Sequence, residues 1–203
     1  MANAIVTGGT RGLGRAIVER LTRDGWTVVF DARRGTDVAR TVDEVNSAGH
    51  AGEVIGIPGD IIDPRHRAEL VAAIGDGGLN LLVNNAGSLG PSPLPRLVEI
   101  EPANLLDLFD TNTLAPLSLF RALQAPLERG RGVVVNISSD AAIEAYRGWG
   151  AYGASKAALD QISKVLATEH PDLAIYAFDP GDMRTDMHQA AFPGEEISDR
   201  ASP

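Results

Sequence analysis

Short apolar runs alternate with amphipathic stretches along most of this chain, and that alternation restricts the fold more than any other feature. Residues 4–6, 27–30, 54–57, 79–83, 132–137 and 173–178 are apolar at successive positions, as strands covered on both faces require. Residues 15–23, 38–47, 64–74, 103–127 and 152–169 carry apolar side chains at helical spacing instead. A strand–helix unit repeated in this way predicts an α/β fold: three layers, with a doubly wound parallel sheet in the middle. In such a sheet ligands bind beyond the carboxyl ends of the strands, so the chemistry is expected in the segments that follow each strand.

Composition narrows the partners. Eighteen Lys and Arg stand against 27 Asp and Glu, a net charge of −9 that repels a phosphate backbone, so no nucleic-acid partner is expected. Cysteine is absent, which removes disulfides, thiol catalysis and Cys-ligated zinc, and no metal site is expected. No apolar run approaches the roughly 18 residues that cross a bilayer, and residues 1–9 lack a basic segment followed by an apolar one. These features point to a cytoplasmic protein with no membrane contact.

The first strand runs into Thr7-Gly8-Gly9-Thr10-Arg11-Gly12-Leu13-Gly14 and then directly into a helix. Glycines here permit positive φ and close backbone approach, while the helix start offers unpaired N–H groups that fit a diphosphate. Taken alone, the lesser reading of this segment is a plain tight turn. The second strand ends Phe30-Asp31-Ala32-Arg33-Arg34. A carboxylate at such an end accepts from an adenosine 2′-hydroxyl, whereas an arginine pairs with a 2′-phosphate. Arg33, with Arg11 from the glycine loop, favours NADP(H); Asp31 keeps NAD(H) open.

Tyr152 and Lys156 lie one helical turn apart on one face, so an ammonium is expected beside a phenol, lowering its pKa and making it an acid or base near neutrality. Ser139, at the end of the fifth strand, can hold a substrate oxygen. Pro116 has no N–H to bond the carbonyl of Asn112 four residues earlier, which leaves that carbonyl for a water.

Together, Thr7-Gly8-x-x-x-Gly12-x-Gly14, Asn84-Asn85-Ala86-Gly87, Ser139, Tyr152-x-x-x-Lys156 and Pro180-Gly181 resemble the short-chain dehydrogenase/reductase family, in its NADP-preferring branch. The resemblance covers residues 1–187 and implies one Rossmann-type domain followed by a shortened tail, 188–203, acting as a partial substrate lid. It implies hydride transfer between NADP(H) and a carbonyl or alcohol, with Asn112, Ser139, Tyr152 and Lys156 as the catalytic set. The resemblance further implies that Gly8, Thr10, Arg11, Gly12, Leu13 and Gly14 receive the cofactor. Asp60 and Ile61 would face the adenine, and Asn85, Ala86 and Gly87 the adenosine side. Tyr152, Lys156, Pro180, Gly181, Met183 and Thr185 would face the nicotinamide half. Family members usually carry a further strand after the Pro-Gly turn, and no strand pattern follows it here, so the seventh strand is expected to be missing.

Tyr146 and Trp149 after Ser139, with Met187 in the tail, are candidate substrate contacts, in a pocket expected to be open because the tail is short. The helices at 114–127 and 152–169 are apolar over more than one stripe, which predicts a homodimer through them, a tetramer being the family's other common form. A non-catalytic NADP(H)-binding redox sensor on the same fold is the alternative; the full catalytic set argues against it.

Overall fold

The computed structural model describes residues 2–203, so of the expected 1–187 unit only Met1 lies outside the described residues. Six strands form one fully parallel sheet: β1 (Asn3–Val6), β2 (Thr27–Ala32), β3 (Glu53–Pro58), β4 (Leu81–Asn84), β5 (Val133–Ile137) and β6 (Ala174–Phe178). They lie in the order β3-β2-β1-β4-β5-β6, so the chain first winds outward from β1 and then outward in the other direction from β4. No seventh strand joins the sheet among the described residues. Seven helices accompany them: α1 (Gly12–Arg23), α2 (Gly35–Ser47), α3 (Pro64–Ile74), α4 (Pro102–Phe109), α5 (Ala115–Gly130), α6 (Gly150–Glu169) and α7 (Asp186–Ala191).

Strand periodicity of two divides the core between the two helical layers. Ile5, Val29, Leu82 and Val134 face one way, onto Leu70 of α3, Leu119, Leu123 and Leu127 of α5, and Leu166 of α6. Val6, Val28, Phe30 and Val83 face the other, onto Val18 of α1 and Val38 and Val45 of α2. The four inner strands are covered on both faces, which is why they read as unbroken apolar runs, whereas the edge strands β3 and β6 leave Ile55, Tyr176 and Phe178 exposed.

The expected single helix over 103–127 is not uniform. Between α4 and α5 the chain makes a π-helical turn, Asp110–Leu114, in which the Ala115 N–H reaches back five residues to the Asp110 carbonyl. Pro116, at the start of α5, cannot donate, so widening the helix here is a direct consequence of its missing N–H. Asn112 sits in the middle of that turn, buried.

The tail also departs from expectation. Residues 186–191 form a helix capped by Thr185, whose hydroxyl accepts from the His188 amide at 3.2 Å. The segment folds back over Trp149: the Phe192 ring lies 5.8 Å from the indole, and Ser92 donates its hydroxyl to the Ala190 carbonyl at 2.7 Å. The tail is therefore held against Trp149, while Tyr146 and Met187 stay exposed.

Candidate active site

The carboxyl ends of β1 and β4, where the chain reverses its winding, carry the glycine loop and Asn84-Asn85-Ala86-Gly87 side by side. Thr7 ties them: its hydroxyl accepts from the amides of Asn85 at 3.0 Å and Ala86 at 2.9 Å. Asn85 returns the contact, donating its side-chain amide to the carbonyls of Thr7 at 2.8 Å and Gly8 at 3.2 Å. Its side chain thus braces the loop. Asn84 bonds Asn136 across the ends of β4 and β5 at 2.7 Å.

The loop is built for a close ligand. A Cβ on Gly14 would stand 2.3 Å from the Gly8 carbonyl oxygen, and Gly8 and Gly12 have φ of +70° and +51°, so none of the three tolerates a side chain. The amino terminus of α1 follows with no side-chain cap and no acidic residue in its first turn. Its unpaired amides, the narrow loop and a cleft of about 330 Å³ reaching from Arg11 and Gly12 to Thr185 fit a dinucleotide diphosphate. Leu13 turns its side chain into the core, leaving only its backbone for a ligand.

Other expected cofactor residues are placed unevenly. Arg33 is exposed and has no ion-pair partner among the described residues. Arg11 lies 3.5 Å from Asp186 of α7, both exposed. Asp60 accepts from the Ile62 amide at 3.2 Å, and Ile61 beside it is buried. Thr185 approaches Gly12, where an added Cβ would lie 3.3 Å from its methyl. Met183 makes a bridge to Ala201, and the Gly181 amide bonds Asp179 at 2.9 Å.

Asp31 corrects the sequence reading. It is 2% exposed, with one oxygen accepting from the Gly8 amide at 2.7 Å and the other 2.9 Å from Nε2 of His66 on α3. Asp31 shares the strand parity of Val29 and so faces the α3 layer, away from any ribose beyond the strand end. That spacing was a legible signal, as was His66 at the start of the 66, 70, 74 stripe that α3 turns to the core.

The second cluster joins β5 to α6. Lys156 is 4% exposed and donates to the Ile137 carbonyl at 2.7 Å, with its other two N–H bonds unmatched among the described residues. A buried ammonium with two spare donors suits a diol such as a ribose. Full burial pushes Lys156 down to about 8. Its Nζ lies 5.6 Å from the Tyr152 ring centre, but the expected lowering of the phenol is not found. Burial pushes Tyr152 up to about 12, opposed by a hydrogen bond with Ser139 and reinforced by the nearby Asp179 and Asp140. Tyr152 is therefore a protonated acid at neutral pH.

Ser139 also donates to Asp140 at 3.0 Å. Its neighbour Ser138 instead bonds Asp160 of α6 at 2.5 Å and leaves the cluster. The Asn112 side chain ties three segments: it accepts from the Ser88 amide at 2.8 Å and donates to the Ser88 carbonyl and the Ser155 hydroxyl, both at 2.9 Å. Around Tyr152 stand Trp149, edge-on at 5.6 Å, and Leu89. Tyr146 is exposed and donates to Asp140 at 2.9 Å, a pairing the sequence reading missed. Met187 is 38% exposed on α7.

A short chain dehydrogenase family model matches residues 2–196, and the chain belongs to that family. Serine 3-dehydrogenase of Agrobacterium fabrum is 32% identical over 201 residues, 96% of this chain and 78% of the relative. A short chain dehydrogenase structure from Shigella flexneri, in complex with NADP, superposes with a TM-score of 0.90 at 28% identity, covering 100% of this chain and 86% of the other. A 3-oxoacyl-[acyl-carrier protein] reductase from Brucella melitensis with bound NAD gives 0.81 at 32% identity, covering 91% and 72%. The chain is an oxidoreductase of the hydride-transferring kind that works with a nicotinamide dinucleotide. No helix among the described residues is long and apolar enough to cross a membrane.

Proposed function

We propose that this chain is an NADP(H)-preferring carbonyl reductase acting on small or medium-sized ketones and aldehydes. The observation that carries the reading is the buried phenol of Tyr152, which Ser139 influences and which lies beside the buried Lys156, within the strand-end region that also holds the uncapped glycine loop. When bound, the cofactor supplies the hydride. The chain's own residues do the rest. Ser139 holds the carbonyl oxygen, and Tyr152 gives it the proton. Lys156 supplies positive charge near that oxygen and two donors for the nicotinamide ribose, while Asn112 fixes the loop after β4 against α6. Gly8, Thr10, Arg11, Gly12, Leu13 and Gly14 receive the diphosphate and its riboses, Asp60, Ile61, Ala86 and Gly87 the adenine side, and Pro180, Gly181, Met183 and Thr185 the carboxamide side. Tyr146, Trp149 and Met187 line the substrate, and residues 188–203 close the 1–187 unit as a partial lid.

The direct test is to add NADPH and a panel of ketones and aldehydes and follow the nicotinamide absorbance. Turnover of one or more supports the enzyme. Tight NADPH binding with no turnover across the panel supports the redox-sensor alternative.

The preference for NADP(H) rests on charge. The carboxylate at the end of β2 is spent inside the protein, whereas Arg33 is free at the surface. Losing a charge-assisted contact with the 2′-phosphate costs about 1.5–3 kcal/mol, one to two decades in binding. Arg33→Ala is therefore expected to weaken NADPH by that factor and leave NADH unchanged. Equal losses for both cofactors, measured by fluorescence titration, place the preference elsewhere.

A homodimer through α5 and α6 suits the exposed outer faces of these helices, where Ala122, Ala125, Ala154 and Val165 lie uncovered. Light scattering at micromolar concentration is expected to give twice the chain mass; a monomer mass rejects the pairing. A tetramer would extend the same interface, and the cysteine-free composition suits a reducing cytoplasm.

A further inference from the structure

His66 has no place in the catalytic scheme, yet it is among the most deliberately packed polar groups in the molecule. Its ring is 4% exposed and lies flat enough against Gly59 that a Cβ there would stand 2.1 Å from Nδ1. Nε2 bonds Asp31, and Asp31 in turn holds the Gly8 amide. Three segments distant in sequence, the start of α3, the end of β2 and the glycine loop, are thus joined by one buried chain of hydrogen bonds.

We propose that Asp31 and His66 form a positioning pair for the cofactor: His66 fixes the Asp31 carboxylate, and the carboxylate fixes the Gly8 amide and with it the loop that receives the diphosphate. The inference rests on the cofactor reading given above.

The pair also has a built-in proton dependence. Nδ1 of His66 has no hydrogen-bond partner, and Glu69 one turn along α3 brings a carboxylate oxygen to 3.7 Å of it. A neutral ring leaves that nitrogen a bare buried acceptor, whereas an imidazolium gives it a proton facing Glu69. The charged groups bearing on the ring are Asp31 from β2 and Glu69 from α3. Asp60, beside Gly59, is turned to the Ile62 amide, Asp63 caps α3, and Arg67 is turned to the Ile61 carbonyl. The Asp31 bond raises the His66 pKa above its usual value, with burial opposing. Protonated His66 offsets the buried Asp31 charge and favours an anion above the loop. That contribution to binding is present while His66 is protonated and is lost as pH rises through its raised pKa.

The test is the dissociation constant of NADH, which lacks the titrating 2′-phosphate, measured from pH about 6 to about 7.5, below the Lys156 titration and across the histidine range. In the parent protein it is expected to weaken as pH rises. His66→Gln keeps a donor but cannot titrate; its NADH binding is expected to be about tenfold weaker at pH 6, one charge-assisted bond lost, and flat with pH. The rate at saturating cofactor stays within about threefold, since a positioning residue acts on binding. Asp31→Asn should weaken NADH similarly. A purely structural role lowers the melting temperature of either variant without changing the pH profile of NADH binding, so a profile identical to the parent's overturns the proposal whatever the melting temperature. Should neither variant fold, a pH-independent parent overturns it and a sloping one sustains it. A parent that binds no nicotinamide dinucleotide at any pH defeats the cofactor reading itself, a different outcome.

Discussion

Replacing Tyr152 by phenylalanine is expected to lower kcat for ketone reduction by at least ~100-fold, the low end of what a positioned general acid supplies. The substitution removes one oxygen from a residue that is 7% exposed and packed edge-on against Trp149, so ring volume and packing are preserved. Cofactor affinity should hardly move. Because the phenol is pushed up to about 12, it is a proton donor across the whole neutral range, and its loss cannot be compensated by a change of pH. Steady-state kinetics at saturating NADPH, with a parallel fluorescence titration, separates the two quantities. Activity within a few-fold of the parent would reject Tyr152 as the acid.

Lys156→Ala should remove two functions together. The ammonium is wholly enclosed, bonds the Ile137 carbonyl and stands 5.6 Å from the Tyr152 ring. Loss of a fixed charge in a water-poor site is expected to cut kcat/KM by about 100-fold, and loss of its ribose contact to weaken cofactor binding by about tenfold. The pH profile is the sharper signature. Burial lowers Lys156 from 10.5 to about 8, so the parent rate should fall as pH rises through about 8, and the variant should lack that limb. Unfolding does not mimic it. Between about 8 and 10.5 the folded chain holds fewer protons at Lys156 than the unfolded chain, so this group's contribution to stability increases with pH over the interval where activity is lost. A parent profile flat through this range, or a variant that retains the limb, would remove Lys156 from the reaction.

Much of this architecture was legible in the sequence because it depends on local spacing. The six strands fall within about two residues of their expected places, and α3 spans 64–74 as its apolar periodicity predicts. The glycine loop, the Tyr152–Lys156 spacing and the position of Ser139 at a strand end follow from short-range geometry: a helix repeats every 3.6 residues, and a doubly wound sheet collects its strand ends on one edge. The widened turn at Asn112 was foreshadowed by Pro116, since a missing N–H is a local fact.

What required the tertiary structure was the fate of each polar group. Asp31 reads as a ribose acceptor until His66 and the Gly8 amide, 35 residues on and 23 residues back, take both its oxygens. The spacing of Tyr152 and Lys156 places a cation beside a phenol. The sign of the resulting pKa shift depends on how deeply the phenol is buried, and desolvation sets it here. The six-residue α7 has too few internal hydrogen bonds to be specified by its own sequence. Its position over Trp149 is set by Phe192 and by the Ser92 hydroxyl, contacts that reach 43 and 98 residues along the chain. Periodicity fixes where a side chain points, so sequence determines the scaffold. Only the folded chain decides which buried donors and acceptors meet, because those partners are distant in sequence and each bond depends on the burial that the whole core supplies.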